Sequence, residues 1–139
     1  MRAILNLAQV AFVSCCLCLS PASLQAVDLY GFDVPKQYPK AYSAYKALLP
    51  AEYRKISWMR MLNGTSGPLK DVEVDGAQAV LFWMCEPHNC GGNELAVLAR
   101  KDGKRATALL QSTDYTSGKR IFLGKPSETE TAILASALQ

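Results

Sequence analysis

Residues 75–84 read Asp-Gly-Ala-Gln-Ala-Val-Leu-Phe-Trp-Met, and this stretch decides the fold class of the chain. It opens with Asp75-Gly76, a dipeptide typical of a two-residue β-hairpin turn. Before the turn, Val72 and Val74 alternate with charged residues, which predicts a strand with one exposed face. After the turn, the stretch is apolar apart from one glutamine, which predicts a strand covered on both faces. We therefore expect an antiparallel sheet that is packed on both sides.

Three further strands and a terminal helix are predicted downstream of this hairpin. Lys101-Asp102-Gly103-Lys104 and Ser117-Gly118 have the composition of turns, and apolar runs lie on either side of them. Ser127 and Glu130 have the spacing of a capping box, so a helix is expected to begin there and to run to about Leu138. The predicted strands are residues 94–100, 107–112 and 119–123.

Upstream of the hairpin, one long helix is predicted between two prolines. Pro39 opens it and Pro50 ends it, and tyrosines and leucines at three- and four-residue spacing give residues 40–49 an apolar stripe. The other upstream segments are interpreted as an extended arm (27–37), a short helix or strand (56–62) and a loop (63–68).

The order of these elements predicts an α+β fold with a central antiparallel sheet and flanking N- and C-terminal helices. Trp58 and Trp83 are assigned to the core. Five tyrosines are expected to pack with their hydroxyls at the surface: Tyr38, Tyr42, Tyr45, Tyr53 and Tyr115.

The first 26 residues are predicted to be a secretory signal peptide. Met1-Arg2 supplies the positive end, residues 3–19 carry no formal charge, and Leu24-Gln25-Ala26 offers a small residue at a cleavage position. Cleavage is expected after Ala22 or Ala26, and cleavage after Ala26 leaves residues 27–139 as one exported domain. A competing interpretation is lipidation at Cys15, because the residues before it loosely resemble a bacterial lipobox.

Composition and charge exclude several classes of protein. The 139 residues suit one domain, and the formal charge of +3 is scattered, which argues against a nucleic-acid partner. The chain has a single histidine, His88, and no evident Ser-His-Asp set, so neither enzyme activity nor a cofactor is predicted. Of its five cysteines, only Cys85 and Cys90 follow the signal peptide. Two cysteines in an exported protein are expected to form a disulfide.

One segment between two predicted strands carries the unusual residues of the chain: Cys85-Glu86-Pro87-His88-Asn89-Cys90-Gly91-Gly92. A disulfide would make it a small rigid ring, Pro87 restricts its backbone, and the two glycines let the chain turn back into the sheet. His88 is therefore expected at the tip of a protruding, disulfide-stapled loop.

Four interpretations of this loop remain open on physical grounds. They are a stapled hairpin end with an incidental histidine, a metal site, a redox dithiol, and a rigid recognition loop of the kind that protease inhibitors use. A metal site of Cys85, His88 and Cys90 lacks a fourth strong ligand, so no metal is predicted.

The loop, followed by Gly91 and then by Glu94-Leu95-Ala96-Val97-Leu98, resembles the signature of the inhibitor of vertebrate lysozyme (Ivy) family. These proteins are bacterial periplasmic inhibitors of C-type lysozyme. The resemblance extends from about Tyr38 to Gln139 and includes Ile56-Ser57-Trp58-Met59. It implies a central antiparallel sheet with flanking helices and a periplasmic location. It also implies a lysozyme as partner, or the cell's own lysozyme-like peptidoglycan-cleaving enzymes, and family members can form homodimers.

The resemblance assigns roles within the loop. His88 is the residue that enters the lysozyme cleft and hydrogen-bonds the two catalytic carboxylates, Pro87 stiffens the tip, and Cys85 with Cys90 staple it. The inhibitory loop so defined consists of Cys85, Glu86, Pro87, His88, Asn89, Cys90 and Gly91.

Two residues depart from a common form of that loop, which has Lys in place of Glu86 and Asp in place of Asn89. A negative Glu86 is expected to repel the carboxylates of a target. This departure leaves a second function class open, namely an envelope binding or structural protein that keeps the fold and has lost or changed its target.

Overall fold

The structure, a computed structural model, describes residues 27–138. The predicted signal peptide and Cys15 lie outside these residues. Within residues 27–138, no helix is long and apolar enough to cross a bilayer. The helices are α1 (Val34–Gln37), α2 (Pro39–Leu48), α3 (Ser57–Met61), α4 (Thr113–Thr116) and α5 (Glu128–Ala137), and the strands are β1 (Thr65–Ser66), β2 (Lys70–Val74), β3 (Ala77–Cys85), β4 (Asn93–Arg100), β5 (Ala106–Ser112) and β6 (Arg120–Leu123).

The six strands form one antiparallel sheet in the order β1-β3-β4-β5-β6, and β2 also pairs with β3. β1 pairs with the end of β3, at Cys85 and Met84, while β2 pairs with its first half. β3 and β4 pair from Ala79 opposite Arg100 to Cys85 opposite Glu94, so the loop after Cys85 leaves from one end of the sheet. The predicted α+β class with a central antiparallel sheet is confirmed.

Each face of the sheet carries its own apolar core, as the sequence of β3 predicts. Alternate side chains of a strand point to opposite faces, so Phe82 and Leu81 belong to different cores. α2 and α3 cover one face through Tyr45 and Met59, and α5 covers the other through Leu134. Trp58 is buried in the first core, whereas Trp83 is only half-buried beside the second.

Two local predictions are confirmed in detail. Asp75 and Gly76 have φ angles of 51° and 73°, the left-handed pair that a type I′ hairpin turn requires. At the start of α5, the Ser127 hydroxyl accepts from the Glu130 backbone N–H at 3.2 Å. The Glu130 carboxylate accepts in turn from the Ser127 N–H at 2.8 Å, which completes the capping box.

Three upstream predictions are corrected by the structure. Residues 27–37 are not an extended arm, because Gly31–Asp33 forms a 3₁₀ turn that runs into α1. The Asp33 carboxylate accepts from the Tyr30 N–H at 2.8 Å and so starts this turn. The predicted 63–68 loop contains β1. The Tyr45 hydroxyl is not at the surface, since it donates to the Met59 carbonyl inside the core at 2.7 Å.

Candidate functional site

The loop between β3 and β4 brings the predicted site residues together at one end of the sheet. Cys85, the last residue of β3, is disulfide-bonded to Cys90, with an S–S distance of 2.06 Å and Cα atoms 4.8 Å apart. Pro87, His88 and Asn89 between them are exposed. The predicted staple and the predicted place of His88 at an exposed tip are both present in the structure.

His88 itself, and not a glycine, turns the chain at the tip. The Asn89 N–H donates to the Glu86 carbonyl at 3.0 Å, and His88 has a φ of 65°. A proline followed by a left-handed residue inside such a bond is the pattern of a type II turn. Gly91 and Gly92 lie in the turn that leads back into β4, as expected, and neither is among the described glycines with positive φ.

Gly92 is needed for a different reason, the close approach of helix α4. A Cβ atom at Gly92 would run into the Thr113 hydroxyl. The Thr113 N–H and hydroxyl both donate to the Gly92 carbonyl, at 2.7 and 2.9 Å. This helix therefore forms a second wall beside the loop, which the sequence analysis did not predict. Its signal was Ser112, an N-cap side chain that accepts from the N–H groups of Asp114 and Tyr115.

Glu86 turns its carboxylate toward the base of the loop. Its Oε2 accepts from the side-chain amides of Asn93 at 2.8 Å and Asn89 at 3.0 Å. The Tyr115 hydroxyl donates to its Oε1 at 3.4 Å. The charge of Glu86, expected to repel the carboxylates of a target, is half-buried and satisfied by donors of its own chain.

Two carboxylates lie at this base, because Asp114 of α4 accepts from the same two amides. Its Oδ2 is 2.8 Å from Nδ2 of Asn93 and 3.2 Å from Nδ2 of Asn89. Partial burial raises the pKa of the Tyr115 hydroxyl, and the charges of Glu86 and Asp114 raise it further. One side of the His88 tip is therefore acidic, although the chain as a whole carries a formal charge of +3.

The disulfide also bears on the interpretations of the loop. Both sulfurs are used in the bond, which leaves no thiolate for the metal interpretation, and no group of three metal-ligating side chains occurs among residues 27–138. A disulfide is equally the oxidised state of a redox pair. The loop's exposed His88, held in a defined turn, is what favours recognition over the redox interpretation.

Comparison with known proteins gives two matches. Residues 40–137, more than half of the chain, match the family model described as inhibitor of vertebrate lysozyme (Ivy). A Pseudomonas aeruginosa protein named inhibitor of vertebrate lysozyme is 31% identical over 71 residues. That alignment covers 51% of this chain and 46% of the relative, so the chain spans about half the length of the curated relative it matches.

Proposed function

Since this chain belongs to the inhibitor of vertebrate lysozyme (Ivy) family, we propose that it binds a C-type lysozyme and blocks its active site with the loop that carries His88. The observation that carries this proposal is the exposed imidazole at the tip of a disulfide-closed turn. The Pseudomonas aeruginosa relative is named for inhibition of a vertebrate lysozyme, which supports the same class of target.

The proposed mechanism uses the chemistry of the target. Retaining glycosidases of the lysozyme type work with two carboxyl groups, one a proton donor with a raised pKa and one ionised. A protonated imidazole has two N–H donors on opposite sides of the ring and can bond both groups at once. His88 placed between them would occupy the substrate position and satisfy the charges that catalysis needs.

The turn at the tip favours this mechanism because it is formed before binding. Pro87 fixes its own φ, the disulfide closes the ring, and the Asn89 N–H is bonded to the Glu86 carbonyl. A loop that is already ordered loses less conformational entropy on binding. One imidazole cannot supply nanomolar affinity by itself, so we expect the flanking surface, including Asn89 and the half-exposed Tyr115, to contribute contacts.

Inhibition of hen egg-white lysozyme tests the proposal. In a turbidity assay with bacterial cell walls, the protein should slow clearing, and His88→Ala should weaken binding by about 2 kcal/mol or more, roughly 30-fold in Kd. Lys104→Ala is the matched control, because Lys104 is an exposed residue of the β4–β5 turn, at the other end of the sheet. It should bind like the unsubstituted protein.

Two results would count against the proposal. One is an unsubstituted protein that neither binds nor inhibits the lysozyme, which would favour the envelope-protein class. The other is a His88→Ala variant that loses thermal stability but keeps its affinity, since His88 would then have a structural role. The melting temperatures of both variants separate these cases from a true loss of contact.

We further propose that the protein acts in the periplasm after removal of residues 1–26, where an oxidising environment maintains the Cys85–Cys90 bond. The proposal involves no catalysis by this chain. Lysozyme-like peptidoglycan-cleaving enzymes of the cell are a second group of targets to assay. Homodimer formation stays a prediction that light scattering on the purified protein can test.

A further inference from the structure

The base of the loop is organised around one buried amide. Asn93, the first residue of β4, has no exposed surface. Its Nδ2 donates to Glu86 at 2.8 Å and to Asp114 at 2.8 Å. Its Oδ1 accepts from the Ser112 hydroxyl and, at 3.4 Å, from the Asp114 N–H. The hydrogen-bonding capacity of this amide is fully used, and it joins the loop to β5 and α4.

Asn89, the residue directly after His88, repeats half of this arrangement at the surface. Its Nδ2 donates to the same two carboxylate oxygens, on Glu86 at 3.0 Å and on Asp114 at 3.2 Å. The two carboxylates are thus held between two amide groups, one buried and one exposed. The side-chain amides of Asn89 and Asn93 are connected only through the carboxylate oxygens of Glu86 and Asp114.

The disulfide alone does not determine the conformation of the tip. It joins the two ends of the ring, Cys85 and Cys90, but it does not fix the dihedral angles of the four residues between them. His88 takes a left-handed conformation, which is uncommon for a residue with a Cβ atom. The bonds on Asn89 fix the residue that follows His88, and Pro87, the residue before His88, has a fixed φ.

We infer that Glu86 and Asn93 are positioning residues, which hold His88 in its left-handed conformation through Asn89 and independently of the disulfide. The inference rests on the proposed function for its meaning, because the conformation matters only if His88 contacts a target. On this account the Glu86 carboxylate touches no lysozyme group. It acts through Asn89, and its acceptor oxygen matters more than its charge.

Three variants test the inference. Glu86→Ala removes one of the two shared acceptors and leaves that of Asp114, whereas Glu86→Gln keeps one carbonyl oxygen for the two amides and loses the charge. Glu73→Ala is the matched control, because Glu73 also accepts from a neighbouring side-chain amide, that of Gln78 at 3.1 Å. Gln78 lies seven positions from Cys85 along β3, about 23 Å away.

Two measurements are made on each variant, one without and one with the target. In the free protein, backbone ¹⁵N relaxation gives the order parameters of His88 and Asn89. We expect values near 0.85 in the unsubstituted protein and below about 0.6 in Glu86→Ala, with the disulfide intact by thiol titration. Binding to hen egg-white lysozyme should weaken about tenfold in Glu86→Ala and less than about twofold in Glu86→Gln and Glu73→Ala.

The outcomes separate this inference from the proposed function. Order parameters that stay unchanged in Glu86→Ala would overturn the positioning role. So would a Glu86→Gln variant that binds as weakly as Glu86→Ala, because the charge would then contact the target directly. If the unsubstituted protein does not bind the lysozyme, the proposed function fails, and the relaxation data still decide whether Glu86 orders the tip.

Discussion

Asn89 and Glu86 face each other across the tip of the loop, with Nδ2 of Asn89 3.0 Å from Oε2 of Glu86 and His88 between them in the chain. Asn89 thus supplies the Glu86 carboxylate with a donor in addition to those from Asn93 and Tyr115.

Asn89→Asp should therefore loosen the loop, although it restores the residue of the common form. The change removes the donor and brings a third negative charge to Glu86 and Asp114. We expect weaker lysozyme binding, by about 1.5–3 kcal/mol, as for a lost hydrogen bond to a charged group. Isothermal titration calorimetry against hen egg-white lysozyme measures the change.

Adding Glu86→Lys to Asn89→Asp should recover part of this loss, since an ammonium group then faces the new carboxylate. A double-mutant cycle over the two positions should give a coupling energy of about 0.5–3 kcal/mol, the range for residues in contact. Additive effects of the two changes would show that positions 86 and 89 act on binding separately.

Tyr45→Phe should destabilise the fold more than Tyr42→Phe. The Tyr45 hydroxyl is the donor to the Met59 carbonyl in the core, and burial raises the pKa of this hydroxyl well above its usual range, so it stays a neutral donor. Its loss leaves a buried carbonyl unsatisfied and should lower the free energy of unfolding by about 1–3 kcal/mol. The Tyr42 hydroxyl donates to the Arg60 carbonyl at the surface, where water can replace it. Urea unfolding of both variants is the measurement, and equal losses would contradict the prediction.

In the Glu130→Gln variant, the free energy of unfolding should depend less on pH in the acidic range. Bonds from Arg105, at 2.7 and 2.8 Å, and from the Ser127 N–H lower the pKa of Glu130, although burial opposes them. A lowered pKa in the folded state means that the unfolded chain binds the proton more readily. The stabilisation is therefore complete above the ordinary pKa of about 4.5 and is lost as pH falls through the lowered value.

Thermal unfolding across pH measures this effect. The unsubstituted protein should be more stable than Glu130→Gln at neutral pH, by about 1–3 kcal/mol for a bonded, largely buried carboxylate. The difference in the free energy of unfolding between the two proteins should narrow below a pH of about 4.5. Glu128→Gln, in the same first turn of α5 but exposed, is the control and should show a smaller gap. A gap that does not change with pH would contradict the assigned ionisation.

Replacing both Cys85 and Cys90 by alanine should cost about 2 kcal/mol of stability, the loop-entropy value for so small a ring. Binding should weaken but not vanish, because the bonds from Asn89 and Asn93 to Glu86 do not depend on the sulfurs. Combining this change with Glu86→Ala should abolish lysozyme binding. A double cysteine variant that is already inactive would show that the disulfide alone shapes the tip.

The elements that could be predicted from the sequence are those whose signals are local. Asp75-Gly76 specifies a turn by its own dihedral preferences, and Ser127 with Glu130 satisfies the backbone donors of its own helix. The apolar residues of β3 predict that both of its faces are covered, even though they do not show which elements cover them. In the loop, the staple is predicted because Cys85 and Cys90 are the two cysteines that follow the predicted signal peptide, and the exposed place of His88 follows from the closed ring and Pro87.

The features that the sequence did not reveal depend on contacts between distant residues. The Tyr45 hydroxyl finds its acceptor fourteen positions away, on α3. Glu86 turns inward because Asn93 and Tyr115 meet it there, and Tyr115 reaches it only because α4 lies against Gly92. The prediction of an extended arm over residues 27–37 relies on Gly31 and Pro35. Asp33, which accepts from the Tyr30 N–H, and the place of Pro35 in the first turn of α1 favour a helix instead.

Because the loop connects β3 and β4, it keeps its conformation until these two strands unfold. Both strands have neighbours on each side, whereas β6 is an edge strand of the sheet. Native-state hydrogen exchange generally finds such inner strands in the last cooperative unit to unfold, while peripheral elements open at much lower free energy. A molecule in which β6 has frayed would still present His88 on a closed hairpin. We therefore expect the loop to be lost with global unfolding of the sheet and not with fraying of its edge.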